Sequence, residues 1–257
     1  MNTVKKILYS NGCSHTAGVE ITYPGSETFE DKTLSFSGQL ASRWNLISIN
    51  DAKKGQGNFS ILSQTLHSVS KLLEKYKADE IIVLIGWSGL DRVDFVSDNT
   101  VYQFNSTKPQ SYWPDKIKKA WELWVLENDD NVRLNKFSLY YFTLVNFLES
   151  YGIEYYMFNA VNPLSISREN LLHEKKEPTL ELFKHIEINN RYLHPFNEDY
   201  VYHTYLKNSG FDGFKEGRSN HFLESGHIYW ANFIQSYIIE NNPSADWIVD
   251  TWPHTKE

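Results

Sequence analysis

The stretch Ile7-Leu8-Tyr9-Ser10-Asn11-Gly12-Cys13-Ser14-His15-Thr16-Ala17-Gly18 decides the fold. An apolar, β-favouring run from Val4 to Tyr9 stops at small and polar residues, and the turn that follows carries Ser14 between Gly12 and Gly18. In an open α/β sheet, ligands bind outside the carboxyl ends of the strands, so a serine raised on such a turn stands where a nucleophile is needed. The two glycines let the backbone bend and let a ligand approach. The same residues also fit a plain strand-to-helix junction in which Ser14 or Thr16 caps the next helix.

The segments that follow decide between these readings. Val19 to Thr33, polar and interrupted by Pro24-Gly25, reads as a surface loop forming one rim of a cleft. Leu34 to Trp44 has helical spacing, and Leu46 to Ile49 reads as a short buried strand. A loop from Asn50 to Asn58 leads into a helix capped by Asn58 or Ser60, with Ile61, Leu62, Leu66, Val69, Leu72 and Leu73 on one stripe. Glu80 to Gly86 contains an apolar run without alternation, as expected of a central parallel strand covered on both faces; its loop is Trp87 to Arg92. Three strands separated by helices imply a doubly wound sheet, and right-handed crossovers put their three loops on one edge.

Asp94 to Pro114 is polar and irregular and reads as part of an insertion spanning about 94–135. Ile117–Leu126 and Val132–Tyr151 read as helices, Glu154–Phe158 as a strand, and Glu224–Ile239 as a closing helix. Leu164 to Gly217 has no clear period, and a tail from about 243 carries Trp247 and Trp252. The expected architecture is one domain over residues 1–257, a flavodoxin-like three-layer α/β/α sandwich around a parallel sheet.

A formal net charge of −7 argues against general affinity for nucleic acid or anionic membranes. Cys13 is the only cysteine, which excludes an internal disulfide and fits a reducing compartment. The apolar run after Met1–Lys6 is too short for a signal peptide, and no stretch approaches the roughly 20 apolar residues of a membrane span, so a cytoplasmic location is expected. The 8 Trp and 16 Tyr are better explained by aromatic core packing than by an aromatic-lined cleft. No spacing demands a metal, and no Gly-rich phosphate loop is present, so no cofactor is expected.

Four elements combine into chemistry. A serine hydroxyl needs a base during attack, and imidazole titrates near neutrality; Ser14 is the candidate nucleophile and His221 the candidate base. The tetrahedral oxyanion needs donors, for which the Ser14 and Gly55 amides and the Ser88 hydroxyl are candidates.

Taken together, the chain resembles the SGNH hydrolases, the GDSL-like esterase and lipase superfamily. Gly12-Cys13-Ser14 matches the first block apart from Cys13 in the aspartate's place. Asn50 followed by Gly55 matches the second, and Gly86-Trp87-Ser88 the third, with serine where asparagine usually donates. Asn220-His221 followed by Gly226-His227 and Ala231 has the spacing of the last block, without its proline and with Arg218 where the catalytic aspartate is expected. Gly-Cys-Ser and Trp-Ser variants resemble a divergent branch of bacteriophage and bacterial sequences, and a phage origin would make the expected location the host cytoplasm.

The resemblance implies hydrolysis of a small acyl or O-acetyl ester, on a small molecule or a carbohydrate, through an acyl-serine. Asp212, Glu216 and Asp91 are candidates for a displaced acid, and a Ser-His dyad is the alternative. Arg218 is positioned in sequence to meet an anionic substrate group instead. Glu224-x-x-His227 is set aside because it falls inside a helix, and Cys13 reads as a small buried hydrophobe. Two other classes stay open: an acyltransferase, favoured if Trp87, Trp113 and tyrosines wall the cleft against water, and a non-catalytic binding or structural protein that lost its acid.

Overall fold

Strand β1 (Ile7–Gly12) is buried along its whole length and pairs in parallel with β2 (Ile47–Asn50) on one side and β3 (Ile81–Trp87) on the other. β3 pairs in parallel with β6 (Glu154–Asn159), giving the order β2-β1-β3-β6. This computed structural model describes residues 6–22, 30–98, 100–105, 109–127, 130–164, 185–186, 188–211, 221–242, 245 and 248. Beyond β6, the Met157 amide donates to the Arg191 carbonyl and the Leu193 amide to the Met157 carbonyl, so residues 191–193 extend the sheet in parallel.

The missing alternation in β3 has the expected cause. Ile81, Val83, Ile85 and Trp87 enter one core, while Ile82 and Leu84 enter the core on the opposite face. Helices α3 (Asn58–Leu73) and α5 (Asp130–Tyr151) cover the first face; α2 (Phe36–Arg43), α6 (Tyr202–Asn208) and α7 (Glu224–Asn241) cover the second. Leu134, Phe137, Tyr141, Leu144, Val145 and Leu148 of α5 form the buried stripe that helical periodicity demands. The result is the three-layer α/β/α sandwich. Among the described residues no helix is long and apolar enough to cross a membrane.

Three expectations change. Leu46–Ile49 is not a buried strand: β2 is an edge strand with β1 as its sheet neighbour, and Ile47 is 40% exposed. Val19 to Ile21 is not surface loop, since Val19, Glu20 and Ile21 are each at most 3% exposed. Asp94 to Pro114 is not irregular: β4 (Val93–Ser97) and β5 (Thr100–Phe104) form an antiparallel hairpin, and helix α4 (Asp115–Glu127) packs beside it. Phe104, Trp113 and Ile117 are buried between them as a separate small core. The tail beyond 248, with Trp252, and Trp247 lie outside the described residues.

The hairpin also explains how α3 begins. Neither Asn58 nor Ser60 caps it with a side chain. Instead the Asp94 carboxylate accepts from the Gly57 and Ser60 amides, at 3.2 and 3.1 Å, placing negative charge where the helix dipole favours it.

Candidate active site

The first turn is held so tightly that its composition follows from its neighbours. A Cβ on Gly12 would lie 2.3 Å from Thr16 Oγ1, and one on its sheet partner Gly86 2.5 Å from the same oxygen, so both positions require glycine. The buried Asn11 side chain donates to the Ile61 carbonyl and Thr65 hydroxyl and accepts from the Gly12 amide, tying the strand end to α3. Asn50, at the end of β2, donates to the Thr16 carbonyl at 2.8 Å. Between these ties Ser14 opens the single-turn helix α1 (Ser14–Ala17), and its hydroxyl has no hydrogen-bonding partner among the described residues. Cys13 is fully buried in the core on the α2–α7 side.

His221 stands just before α7. Its Nδ1 lies 3.3 Å from Oε2 of Glu20, with the two side chains 10% and 3% exposed. Glu20 reaches this position from a left-handed backbone, φ 61°, uncommon for a residue other than glycine and a form of strain that clusters at functional sites. Burial pulls the His221 pKa below the ordinary imidazole range; the Glu20 carboxylate opposes that shift, while Lys54 and Arg92 add to it.

A cavity of about 400 Å³ opens over this pair. Ser14, His15, Gly55, His221 and His203 line it, with Lys54 and Arg92 from the second and third loops and Val161-Asn162 beyond β6. Its size falls within the range of small-ligand sites. Gly55 has φ 72° and sits so close to Gln103 of β5 that a Cβ would lie 2.0 Å from its amide oxygen; the Gln103 amide donates to the Lys54 carbonyl. The hairpin therefore braces the second loop from outside.

Burial also lowers the pKa values of His15 and His203, which keeps both rings neutral near pH 7. The His15 ring centroid is 5.1 Å from that of His221 and 6.0 Å from that of His203. No group of three His, Cys, Asp or Glu among the described residues is placed to hold a metal ion. His227 is sealed in the core: its Nδ1 accepts from the Phe36 amide at 3.2 Å, and burial pulls its pKa down to about 3.

Of the residues singled out in the sequence, Ser14, Gly55 and His221 meet on one cavity. Ser88 does not line it. Its amide donates to Asn58 Oδ1 at 2.8 Å, its carbonyl accepts from Asn58 Nδ2, and its hydroxyl is buried without a partner among the described residues. Asp91 is likewise off the cavity wall, and Asp212, Glu216 and Arg218 lie outside the described residues. Trp87 and Trp113 wall no cleft: the first packs edge-on against Phe137 in the main core, the second against Phe104 under the hairpin. Glu20 was missed, along with His15, His203 and Arg92. Its only local trace is a carboxylate between Val19 and Ile21, two apolar residues that a solvated loop would not need.

No protein-family model matches the sequence, and no curated protein matches it. Solved structures do. A family two carbohydrate esterase from Clostridium thermocellum, solved as an active-site mutant, matches with TM-score 0.51 and 13% identity over 93% of this chain and 65% of its own. A carbohydrate esterase family 2 enzyme with a carbohydrate binding domain, from Corynascus thermopiles (Myceliophthora fergusii), matches with TM-score 0.50 and 12% identity over 94% of this chain and 68% of its own. A lipolytic protein of the G-D-S-L family from Desulfitobacterium hafniense DCB-2 matches with TM-score 0.47 and 17% identity, over 91% of this chain and 99% of its own. With strand order β2-β1-β3-β6, and with the carboxyl ends of β1 and β2 leading into the turns that carry Ser14 and Gly55, the chain has the fold of the SGNH hydrolases.

Proposed function

We propose that this protein is a serine ester hydrolase that works through an acyl-serine intermediate. The observation that carries the reading is the Glu20–His221 pair opening onto the cavity that Ser14 also lines. A carboxylate can only accept, so it holds the proton on His221 Nδ1 and leaves Nε2 to take the Ser14 proton. Burial keeps that ring neutral and ready to act as a base near pH 7.

In the first half-reaction, Ser14 Oγ bonds to the ester carbonyl carbon while its proton passes to His221. The Ser14 and Gly55 amides stabilise the oxyanion. The C–O bond to the alcohol then breaks, the alcohol leaves with the proton from His221, and the acyl group stays on Ser14. Water repeats the sequence: its proton goes to His221, its oxygen bonds to the acyl carbon, and the carboxylic acid departs as Ser14 recovers its proton.

Glu20 fills the orienting role for which Asp212, Glu216 and Asp91 were the sequence candidates. Arginine at position 218 is then no sign of lost chemistry. The hairpin and α4 act as an insertion that steadies the Gly55 loop. The cavity volume and the carbohydrate esterases of like fold favour a small acyl group, such as an O-acetyl ester of a carbohydrate.

The test is covalent labelling with a fluorophosphonate, followed by peptide mass analysis. Labelling confined to Ser14, lost in Ser14→Ala and strongly reduced in His221→Ala, is the expected result. A folded wild-type protein that takes no label rejects the reading.

A further inference from the structure

The charge of the cavity wall is one-sided. Arg92 and Lys54 line it together with three histidines, and no carboxylate does so among the described residues. Glu20, whose carboxylate lies 3.3 Å from His221 Nδ1, is engaged with that ring. Asp94, two residues after Arg92, is committed to the amides that open α3. Arg92 Nη1 is buried and has no hydrogen-bond partner among the described residues. A guanidinium presents five N–H donors and no acceptor, and a buried donor left unmade is costly. The chain carries a net charge of −7, yet no carboxylate among the described residues is placed against Arg92 Nη1. The positive field reaches the cavity histidines, since Arg92 contributes to lowering the pKa values of both His15 and His221.

We infer that Arg92, with Lys54 adding to the potential, anchors an anionic group of the substrate beside the scissile ester, a carboxylate or a phosphate. A planar guanidinium matches either group with paired hydrogen bonds, which lysine alone does not. The substrate class is thereby narrowed from esters in general to anionic esters. This rests on the ester-hydrolase reading for its meaning, but the binding itself is measurable without turnover.

The experiment is calorimetric titration of the 257-residue Ser14→Ala protein with two ligand pairs: monoethyl succinate against diethyl succinate, and 1-acetylglycerol 3-phosphate against 1-acetylglycerol. The anionic member of one pair binds at least about tenfold more tightly, a difference of about 1.4 kcal/mol. The pair that shows it names the group. The preference disappears when Arg92→Gln is added and is partly kept with Arg92→Lys, which also controls for folding. Equal affinities within both pairs, no binding of any ligand, or a preference that survives Arg92→Gln overturns the inference. Failure of Ser14 to take a fluorophosphonate would reject the hydrolase reading instead and leave the binding result standing. If Arg92 acts only as an oxyanion donor, Arg92→Gln slows neutral and anionic esters alike and the affinity ratio stays at one, which also overturns it.

Discussion

His221 and His227 stand six residues apart, on either side of the start of α7, and both are largely withdrawn from water. Their partners differ in kind. Nδ1 of His227 accepts from the Phe36 amide, so its proton sits on Nε2, which faces the Tyr202 hydroxyl at 3.3 Å. Nδ1 of His221 faces a carboxylate, so its proton sits on Nδ1 and the proposed mechanism gives the role of base to Nε2. Burial lowers both pKa values, but only His221 has a carboxylate acting against the shift. One residue type under similar burial thus takes opposite tautomers: the one beside an acceptor suits the base proposed for His221, and the one beside a donor suits a strut.

The sharpest way to break this contrast is to remove each ring. His221→Ala should lower kcat/KM on an activated ester by about 10³-fold, in the middle of the range for a lost general base, with the melting temperature little changed. His227→Ala should do the reverse. It leaves the Phe36 amide without its acceptor and a cavity beside Phe36 and Tyr202, which together predict about 2–4 kcal/mol of lost stability by urea titration. Activity of the folded fraction should stay within about tenfold. An inactive His227→Ala with unchanged stability would invert the assignment.

Glu20→Gln sharpens the contrast at the partner rather than the ring. An amide can present its NH2 to Nδ1 and hold His221 in the tautomer that His227 already has, so kcat should fall by about 10²–10⁴. Full activity in this variant would move the orienting acid into residues 212–220, where Asp212 and Glu216 stand.

What the sequence made legible follows from how local each cause is. β3 was readable because both of its faces are buried and every residue therefore had to be apolar. Ser14 was readable because it stands two residues after Gly12, where a Cβ would lie 2.7 Å from the Gly86 carbonyl oxygen, and His221 because it precedes the Gly226-His227 pair at the start of a helix. Glu20 was not: it meets His221 across 201 positions, and one acid among several in a Pro-Gly-containing segment looks like solvated loop. Asp94 misled in the same way. It breaks the apolar pattern of β4 because it caps a helix elsewhere in the fold, so a strand read as irregular.

The two histidines should also separate in their pH dependence. In the proposed mechanism the neutral form of His221 is the active one, and burial holds its pKa below the ordinary 6.5, so kcat/KM should hold steady through pH 7 and fall along an acid limb with a midpoint below 6.5. Glu20→Gln, lacking the charge that opposes the shift, should carry that midpoint lower still. Stability follows His227. Its folded pKa, about 3, is depressed relative to the unfolded chain, so its contribution is complete above pH 6.5 and is lost as pH falls from 6.5 towards 3, on the order of a few kcal/mol. His227→Gln should flatten that part of the stability profile without moving the acid limb of activity.

The smallest expected effect is at Ser88, and it tests whether chemical type or placement makes a donor. Its hydroxyl, after a long apolar strand, is a sequence candidate for an oxyanion donor, and loss of such a donor typically costs about 10²–10³ in kcat. The Ser88 hydroxyl, however, is buried off the cavity wall, and what holds this loop is the pair of bonds between Asn58 and the Ser88 backbone, which Ser88→Ala leaves intact. The variant should therefore keep kcat within about threefold. Asn58→Ala should lower it further, because it removes the acceptor for the Ser88 amide and frees the loop that also carries Arg92. A hundredfold loss in Ser88→Ala alone, with Asn58→Ala no worse, would show that the hydroxyl swings to the substrate during turnover and restore it to the oxyanion set.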